Sequence, residues 1–202
     1  MPARKPATGR IARIERNTKE TAITLALDLD GDGSFRGETG IGFFDHMLVL
    51  LARHGGLGLD VKARGDLEVE CHHTVEDTGL AFGTALVQAA GDKAGIRRYG
   101  HAVVPMEEAL CECSLDFCGR PYLFFGATFE RPMIENYATE VTEDFFRAVC
   151  NNAGITMHLE CRRGRNAHHI VEGLFKAFAR ALRSALENDP RMSGVPSTKG
   201  VL

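Results

Sequence analysis

The sequence predicts a two-layer α/β protein of the α+β kind, made by internal duplication, with helices packed on one face of each sheet. The main observation is a motif that occurs twice, as HHTVE at residues 72–76 and as HHIVE at residues 168–172. Each copy opens a segment in which apolar residues recur every three or four positions, as on one face of an α-helix. Segments before the motifs alternate apolar and polar residues, which is typical of half-buried strands. The pattern indicates two related halves of the form β-β-α-β-α.

The duplication extends beyond the motif. Over the 15 residues that begin at His72 and at His168, the two copies share eight identical positions. These are both histidines, the valine, the glutamate and four residues of the following helix, namely Ala81/Ala177, Phe82/Phe178, Ala85/Ala181 and Leu86/Leu182. Chance does not readily place two adjacent histidine pairs and a glutamate in the same register twice. We interpret the repeat as the basis of a symmetric metal site.

The composition is that of an ordinary globular protein. The chain has 202 residues, of which 44% are hydrophobic and 25% charged, with a formal net charge of −3. The charge gives no reason to expect nucleic acid or a membrane surface as a partner, and the polar start of the chain has no signal-peptide core. Six cysteines form no CxxC pair. We expect them to be reduced core thiols of a cytoplasmic protein.

The first half is predicted to contain three strands and two helices. The strands are expected at residues 9–17, 20–29 and 57–62, and the helices at residues 43–54 and 72–90. The acidic segment 28–33, DLDGDG, resembles the start of an EF-hand loop, but Thr39 stands where that loop needs a bidentate Glu. The Asp-Gly steps therefore favour a hairpin turn.

The second half repeats this order after a glycine-containing connection at residues 91–95. Strands are expected near residues 101–118, 121–129 and 155–161, and helices at residues 141–151 and 168–186. The whole chain, 1–202, is interpreted as a single domain. It consists of a loose tail at residues 1–8, two pseudo-repeats at about residues 9–93 and 98–187, and an irregular C-terminal tail at residues 188–202.

The spacing within each motif suits metal binding. Residues i and i+4 of a helix share one face, so His72 and Glu76 can bind the same ion. His73 points about 100° away and suits a different ion. The second copy repeats this arrangement with His168, Glu172 and His169. Imidazole and carboxylate together suit Mn, Fe or Zn. The alternative is a pair of helix starts with solvated side chains.

Two further ligands are needed to complete such a site. His46 lies 26 residues before His72, in the first turns of the preceding predicted helix. Asp144 occupies the matching position of the second half, 24 residues before His168. We predict both as metal ligands. Three other histidines, His54, His101 and His158, are predicted to be structural.

Together these residues resemble the imidazoleglycerol-phosphate dehydratase family over residues 9–202. The resemblance rests on five further or extended motifs: Arg16-x-Thr18-x-Glu20-Thr21, Phe44-Asp45-His46-Met47, Asp77 after the first motif, Gly119-Arg120-Pro121 and Pro196-Ser197-Thr198-Lys199-Gly200. It implies a lyase of L-histidine biosynthesis that converts D-erythro-imidazoleglycerol phosphate to imidazole-acetol phosphate and water. It also implies two Mn²⁺ ions per active site, sites at subunit boundaries, and trimers that assemble into a 24-mer.

The resemblance also implies roles for individual residues. Glu20 and Glu172 are candidates for moving protons while the ions stabilise an imidazolate form of the substrate. Glu20 would also contact the substrate. Residues that would bind its phosphate are Arg98, Arg120, Ser197 and Lys199. Without the family, the two arginines would be interpreted as surface salt bridges and the tail as a frayed end.

Two departures from the family pattern concern single positions. Some relatives carry His where this chain has Asp144, and many carry Asp-Gln where it has Val49-Leu50. The second change removes a polar contact to the substrate or to a neighbouring subunit.

Two other classes of protein share some of these features. A dinuclear metallohydrolase acting on a phosphate ester would use its ions to activate water. A non-enzymatic metal-binding or shell-forming protein would need the histidine pairs but neither Glu20 nor the phosphate cations. The sequence leaves open which ligand serves which ion, which metal is loaded in the cell, and which group acts as acid or base.

Overall fold

The computed structural model describes residues 9–202; the predicted loose tail at residues 1–8 lies outside them. Ten strands and four helices are described in this range. The elements are β1 (Ile11–Asn17), β2 (Thr21–Asp28), β3 (Phe35–Glu38), α1 (Gly42–Gly55), β4 (Gly58–Gly65), α2 (His72–Ala90), β5 (Tyr99–Met106), β6 (Ala109–Asp116), β7 (Tyr122–Gly126), β8 (Met133–Ile134), β9 (Tyr137–Ala138), α3 (Val141–Ala153), β10 (Thr156–Arg163) and α4 (Ala167–Leu186).

Two four-stranded sheets have the same topology. Their strand orders are β1-β2-β4-β3 and β5-β6-β10-β7. In each sheet the first two pairings are antiparallel and the last is parallel. The predicted α/β architecture with an internal duplication is confirmed. Before its first helix, the first half has one strand more than predicted, β3. The second half has five strands where two were predicted, because β5 and β6 occupy the range of one predicted strand and the short β8 and β9 follow β7.

The prediction of a hairpin at residues 28–33 is wrong. β2 and β3 do not pair, because β4 lies between them in the sheet. The Asp-Gly steps do make turns: the side chains of Asp28 and Asp32 accept hydrogen bonds from the backbone N–H groups of Asp30 and Ser34, both at 3.0 Å. The Asp-Gly turns therefore set where the chain bends. The place beside β2 is occupied by β4, whose residues Leu59 and Val61 are buried.

The helices pair across the two repeats. α2 packs on β1 and β2 and also contacts α3, while α4 packs on β5 and β6 and also contacts α1. Glycine makes the first of these helix contacts close: a Cβ atom on Gly79 would lie 2.7 Å from the carbonyl oxygen of Phe145. Each helix pair therefore contains one helix from each half.

The core joins both halves. The residues that recur every three or four positions along α2 and α4 form one face of each helix, and all of them are buried. They are Val75, Gly79, Phe82, Leu86, Ala89, Val171, Phe175, Phe178, Leu182 and Ala185. Phe145 stacks on Phe175 with ring centroids 5.1 Å apart, and Phe44 meets Phe145 edge-on at 5.5 Å. These contacts link α1, α3 and α4, so neither half can bury its apolar residues alone.

All six cysteines are free thiols, and five of them are buried. Burial raises the pKa of Cys150 to about 12, so this thiol remains protonated at neutral pH. None of the helices within residues 9–202 combines the length and apolarity that a membrane crossing requires.

Candidate active site

The first candidate metal cluster lies between α1 and α4. His46 Nε2 is 3.3 Å from Glu172 Oε2, and His168 Nε2 is 3.2 Å from the same oxygen. One potential ligand atom from each of these three residues lies within 4.8 Å of the other two. Phe43 packs against the His168 ring at a centroid distance of 5.0 Å and limits its movement. The cluster thus combines His46 of the first repeat with the second motif.

The related cluster lies between α2 and α3. His72 Nε2 is 3.7 Å from Glu76 Oε2, and His72 Nδ1 is 3.8 Å from Asp144 Oδ2. Asp144 thus reaches the first motif from α3, as His46 reaches the second motif from α1, but it faces Nδ1 of His72 whereas Glu76 faces Nε2. All three side chains are partly exposed.

Glu172 is the buried member of the first cluster. Burial by itself favours the neutral acid, but hydrogen bonds from Lys176, His46 and His168 outweigh it and hold the pKa of Glu172 below its usual value. The carboxylate is therefore ionised at neutral pH, which suits a metal ligand or a base.

The second histidine of each motif points away from the first. The His72 and His73 ring planes are 77° apart, and those of His168 and His169 are 83° apart. His73 Nδ1 lies 3.0 and 3.2 Å from the two carboxylate oxygens of Asp66, which raises the pKa of His73.

His169 has an equivalent partner. Its Nδ1 is 2.7 Å from Glu108 Oε2. The backbone N–H groups of Arg165 and Asn166 donate to the other oxygen of Glu108 at 3.1 and 2.8 Å. Hydrogen bonds from Asn166 and His169 lower the pKa of Glu108 to about 2. Both outward-facing rings are therefore oriented through Nδ1.

Glu20 lies beside the first motif, on the turn between β1 and β2. Its Oε2 is 4.0 Å from His73 Nε2, and its side chain is exposed. The turn is fixed to α2 by Asp77, a buried carboxylate that accepts hydrogen bonds from Arg16 at 2.8 Å and from the Thr21 hydroxyl. The two motifs that contain Glu20 and His73 are thus one structural unit.

The four predicted phosphate-binding residues line one cavity. Arg98, Arg120, Ser197 and Lys199 surround a space of about 690 Å³ together with other residues of the tail. Arg98 donates two hydrogen bonds to Asp116, at 2.6 and 2.9 Å, and a third to the carbonyl oxygen of Pro196 at 2.9 Å. Its backbone has φ of +73°, a conformation unusual for a residue with a side chain.

This cavity is remote from the clusters of the same chain. The Arg98 N–H donates to the carbonyl oxygen of Ala185, at the C-terminal end of α4. His169 lies in the first turn of α4. His169 and Ala185 are sixteen positions apart, so the rise of 1.5 Å per residue in an α-helix separates them by about 24 Å.

The three histidines predicted to be structural have other surroundings. His101 Nδ1 is 2.9 Å from the Ser114 hydroxyl, His158 stacks on Phe124 with centroids 5.6 Å apart, and His54 is half-buried near the end of α1. Among residues 9–202, none of the three joins a group of potential metal ligands.

Several residues of the site were not found from the sequence. Asp66, Glu108 and Asp116 each contact a predicted site residue from another element, and nothing in their spacing reveals it. Two others had a recognisable signal. Lys176 follows Glu172 by four residues, the spacing of a helical ion pair. Asn166 caps α4 by accepting from the His168 N–H at 2.9 Å, the position where Asn is favoured.

The fold and the clusters define a class of protein: an α/β enzyme made by duplication, with histidine and carboxylate ligands where its two repeats meet. The family model described as imidazoleglycerol-phosphate dehydratase matches residues 39–182. The chain belongs to the imidazoleglycerol-phosphate dehydratase family, and with it to the hydro-lyases of histidine biosynthesis.

Relatives and solved structures agree on this family. The imidazoleglycerol-phosphate dehydratase of Gluconobacter oxydans is 57% identical over 194 residues, covering 96% of this chain and 98% of the relative. That of Gluconacetobacter diazotrophicus is 58% identical over 196 residues, covering 96% and 99%. The crystal structure of the Staphylococcus aureus enzyme has a TM-score of 0.81 at 38% identity, covering 89% of this chain and 99% of the other. That of IGPD from Pyrococcus furiosus has a TM-score of 0.80 at 34% identity, covering 94% and 100%.

Proposed function

We propose that this chain dehydrates D-erythro-imidazoleglycerol phosphate with a pair of Mn²⁺ ions held by its duplicated histidine motifs, at active sites that neighbouring subunits build together. The dehydration itself follows from family membership. The observation that supports the metal site is the convergence of His46, His168 and Glu172, together with the position of His72 in the other motif, 3.7 Å from Glu76 and 3.8 Å from Asp144.

The donor set fits Mn²⁺. Each cluster offers imidazole nitrogen and carboxylate oxygen, which are ligands that this ion accepts. Both clusters arise on stable helices, and the ligand atoms of the first lie within 4.8 Å of one another. When bound, the ions supply Lewis acidity that favours the anionic form of the substrate's imidazole ring.

A subunit boundary explains two features of the single chain. His73 and His169 contact their carboxylate partners through Nδ1, and we propose that their Nε2 atoms complete a metal site together with a neighbouring subunit. The phosphate cavity lies about 24 Å from His169 along α4. An imidazole with a three-carbon chain and a phosphate cannot span this distance, because each of its bonds is only about 1.5 Å long.

We therefore propose that a second copy supplies one of the two regions. We propose the trimers and 24-mer of the family as the assembly that brings the cavity of one subunit to the metal clusters of another. The polar rim around His72 and Asp144 and the outward-facing His169 ring would then lie at the boundary. Six free thiols agree with a cytoplasmic location, where cysteines stay reduced.

Other residues of the chain are assigned to phosphate binding and to proton transfer. Arg98 and Arg120, with Lys199 and the hydroxyl of Ser197, would bind the phosphate. Asp116 positions the Arg98 guanidinium by a bidentate contact, which leaves one of its terminal nitrogens near the tail. The tail would close over the bound phosphate because seven of its residues line the cavity, among them Pro196, Ser197 and Lys199.

Proton transfer is assigned to Glu20 and Glu172. The reaction breaks a C–O bond beside the ring and a C–H bond on the next carbon, and the resulting enol becomes the ketone. Glu20 would accept and return a proton at the substrate, since its carboxylate is exposed and lies 4.0 Å from the His73 ring. Glu172, ionised by its contacts with Lys176, would act as a metal ligand and as a base.

The test is an assay of ketone formation from imidazoleglycerol phosphate, with and without added Mn²⁺, on protein first treated with a chelator. We expect turnover only after Mn²⁺ is restored, without release of inorganic phosphate. Phosphate release would instead favour a metallohydrolase. Absence of turnover at saturating Mn²⁺ would favour a non-enzymatic protein.

A further inference from the structure

We infer that Glu108 is a positioning residue: it holds His169 in the tautomer and ring orientation that leave Nε2 free to bind a metal ion. This inference rests on the proposed metal-binding role of His169. Glu108 lies outside both repeated motifs, in the two-residue turn between β5 and β6.

The contacts of Glu108 are divided between ring and backbone. One carboxylate oxygen, Oε2, lies 2.7 Å from His169 Nδ1. The other, Oε1, accepts from the N–H groups of Arg165 and Asn166, at 3.1 and 2.8 Å. Glu108 therefore ties the residues that lead into α4 to the β5–β6 turn and orients the His169 ring in the same interaction.

The turn that contains Glu108 has an unusual backbone conformation. Glu107 has φ of +50°, in the left-handed region where glycine or asparagine is normally found in two-residue hairpin turns. The flanking residues Met106 and Ala109 still pair directly, so the turn is tight. The next residue of this turn is Glu108, whose side chain contacts His169.

The other repeat contains the same relationship in a different form. Asp66, just after β4, contacts His73 Nδ1 at 3.0 and 3.2 Å. Asp66 and Glu108 come from unrelated positions of the two halves: one precedes its motif by six residues and the other by sixty. Carboxylate contact with Nδ1 is thus common to both outward-facing rings, although the sequence repeat does not supply it.

The chemical consequence follows from the donors and acceptors. An ionised carboxylate only accepts hydrogen bonds, so Nδ1 must carry the ring proton and Nε2 keeps its lone pair. Ligand histidines in metal sites commonly have such a partner, and its loss typically weakens metal binding 10- to 100-fold. Glu108 would therefore act on the ion through His169 without touching it.

The variant Glu108→Gln separates this role from a general structural one. The amide oxygen of glutamine can still accept from the N–H groups of Arg165 and Asn166. Its NH₂ group would then face Nδ1 and favour the wrong tautomer, with the proton on Nε2. Glu107→Gln is unsuitable as a control, because a carboxylate oxygen of Glu107 lies within 4.8 Å of potential ligand atoms of Glu108 and His169. Glu130→Gln is the control instead, because it removes the same charge from an exposed carboxylate that joins no group of potential metal ligands among the described residues.

The experiment is a titration of metal-free oligomer with Mn²⁺, with free Mn²⁺ measured by electron paramagnetic resonance. Nitrogen-15 spectra of labelled histidine in the metal-free protein report the tautomers. We expect Glu108→Gln to bind one class of Mn²⁺ about 10- to 100-fold more weakly, with an unchanged thermal midpoint before metal is added. Glu130→Gln should remain within about threefold of wild type.

Equal Mn²⁺ affinity in Glu108→Gln and wild type would overturn the inference, as would equal weakening in both variants, which would assign the effect to charge alone. A wild-type His169 with its proton on Nε2 would overturn it even if Glu108→Gln did not fold. Failure of the wild-type protein to bind Mn²⁺ at all would instead refute the proposed function, and the histidine spectra would still test the positioning.

Discussion

His46 Nε2 lies 3.3 Å from Glu172 Oε2, although the two residues are 126 positions apart and belong to different repeats. The contact exists because α1 packs beside α4 while α2 packs beside α3. Asp144 reaches His72 by the reciprocal arrangement. Each candidate cluster therefore depends on both halves of the chain.

Because His46 joins a cluster with residues of the second motif, its substitution should have a defined effect. His46→Ala should lower Mn²⁺ affinity at one class of site and reduce kcat at least about tenfold, because a ligand is lost. His46→Asp copies the residue found at the related position and should retain most of the bound metal. The measurements are metal content and ketone formation. Asp144→His is the reciprocal control and should also keep its metal. Full activity in His46→Ala would exclude His46 as a ligand.

Glu20 is predicted to act on protons and not on metal. Glu20→Gln keeps the size of the side chain and its place near His73 but removes the base. We expect kcat to fall at least about 100-fold, the lower end of what a general base contributes, with unchanged Mn²⁺ content. Glu15→Gln, on the preceding strand, is a control that should leave kcat unaltered. Turnover at the wild-type rate in Glu20→Gln would contradict the assignment.

The C-terminal tail is predicted to bind the phosphate. Deletion of residues 196–202 removes Ser197 and Lys199 from the cavity and should raise KM at least about tenfold, since a charge-assisted contact contributes about 1.5–3 kcal/mol. Lys199→Ala should show part of the same effect. Arg191→Ala is the control, because its side chain pairs with Asp189 and does not line the cavity. An unchanged KM in the deletion variant would argue against this role.

Asp77 is predicted to stabilise both the fold and the Glu20 turn. Asp77→Ala leaves Arg16 and the Thr21 hydroxyl without their buried acceptor, which should cost about 2–3 kcal/mol of the free energy of unfolding. Thermal unfolding at fixed protein and metal concentration measures this loss. Arg147→Ala breaks an exposed helical pair with Glu143 and should cost below about 0.5 kcal/mol. Similar losses in the two variants would show that Asp77 has no special role.

The contact between β5 and α4 depends on the absence of a side chain at Gly100. A Cβ atom there would lie 1.8 Å from the carbonyl oxygen of Ala181, so Gly100→Ala must separate strand and helix. We expect a loss of about 1–3 kcal/mol or more of the free energy of unfolding. Gly42→Ala, in open space at the start of α1, should be neutral or slightly stabilising. Wild-type stability of Gly100→Ala would contradict the close packing.

Much of the architecture could be predicted because periodicity reflects burial directly. The apolar residues that recur at helical spacing in α2 and α4 are buried as predicted, because residues three or four positions apart lie on the same face of a helix. β3 was missed because it has only four residues, three of them exposed, and so carries no alternating pattern. The hairpin prediction was wrong because Asp-Gly steps indicate a local turn and do not determine which strand pairs with β2.

The residues of the candidate site likewise fall into two groups, those that the sequence predicts and those that only the structure reveals. His72, His73, Glu76 and their repeats were evident from sequence because a helix converts fixed spacing into fixed geometry. Asp66, Glu108 and Asp116 were not, because each reaches its partner from a different element. Lys176 and Asn166 carried local signals of ion pairing and capping that could have been used.

By itself the sequence determined the duplication, the helical placement of the paired histidines and the family to which they belong. Only the tertiary structure decided that each cluster takes residues from both repeats, that Asp66 and Glu108 contact Nδ1 of the second histidines, and that the cavity lined by Arg98, Arg120, Ser197 and Lys199 lies at the far end of α4. The physical reason is that helical and strand periods act over a few residues. Side chains far apart in the chain meet only when the helices pack, and that packing minimises exposed apolar surface for the whole core at once.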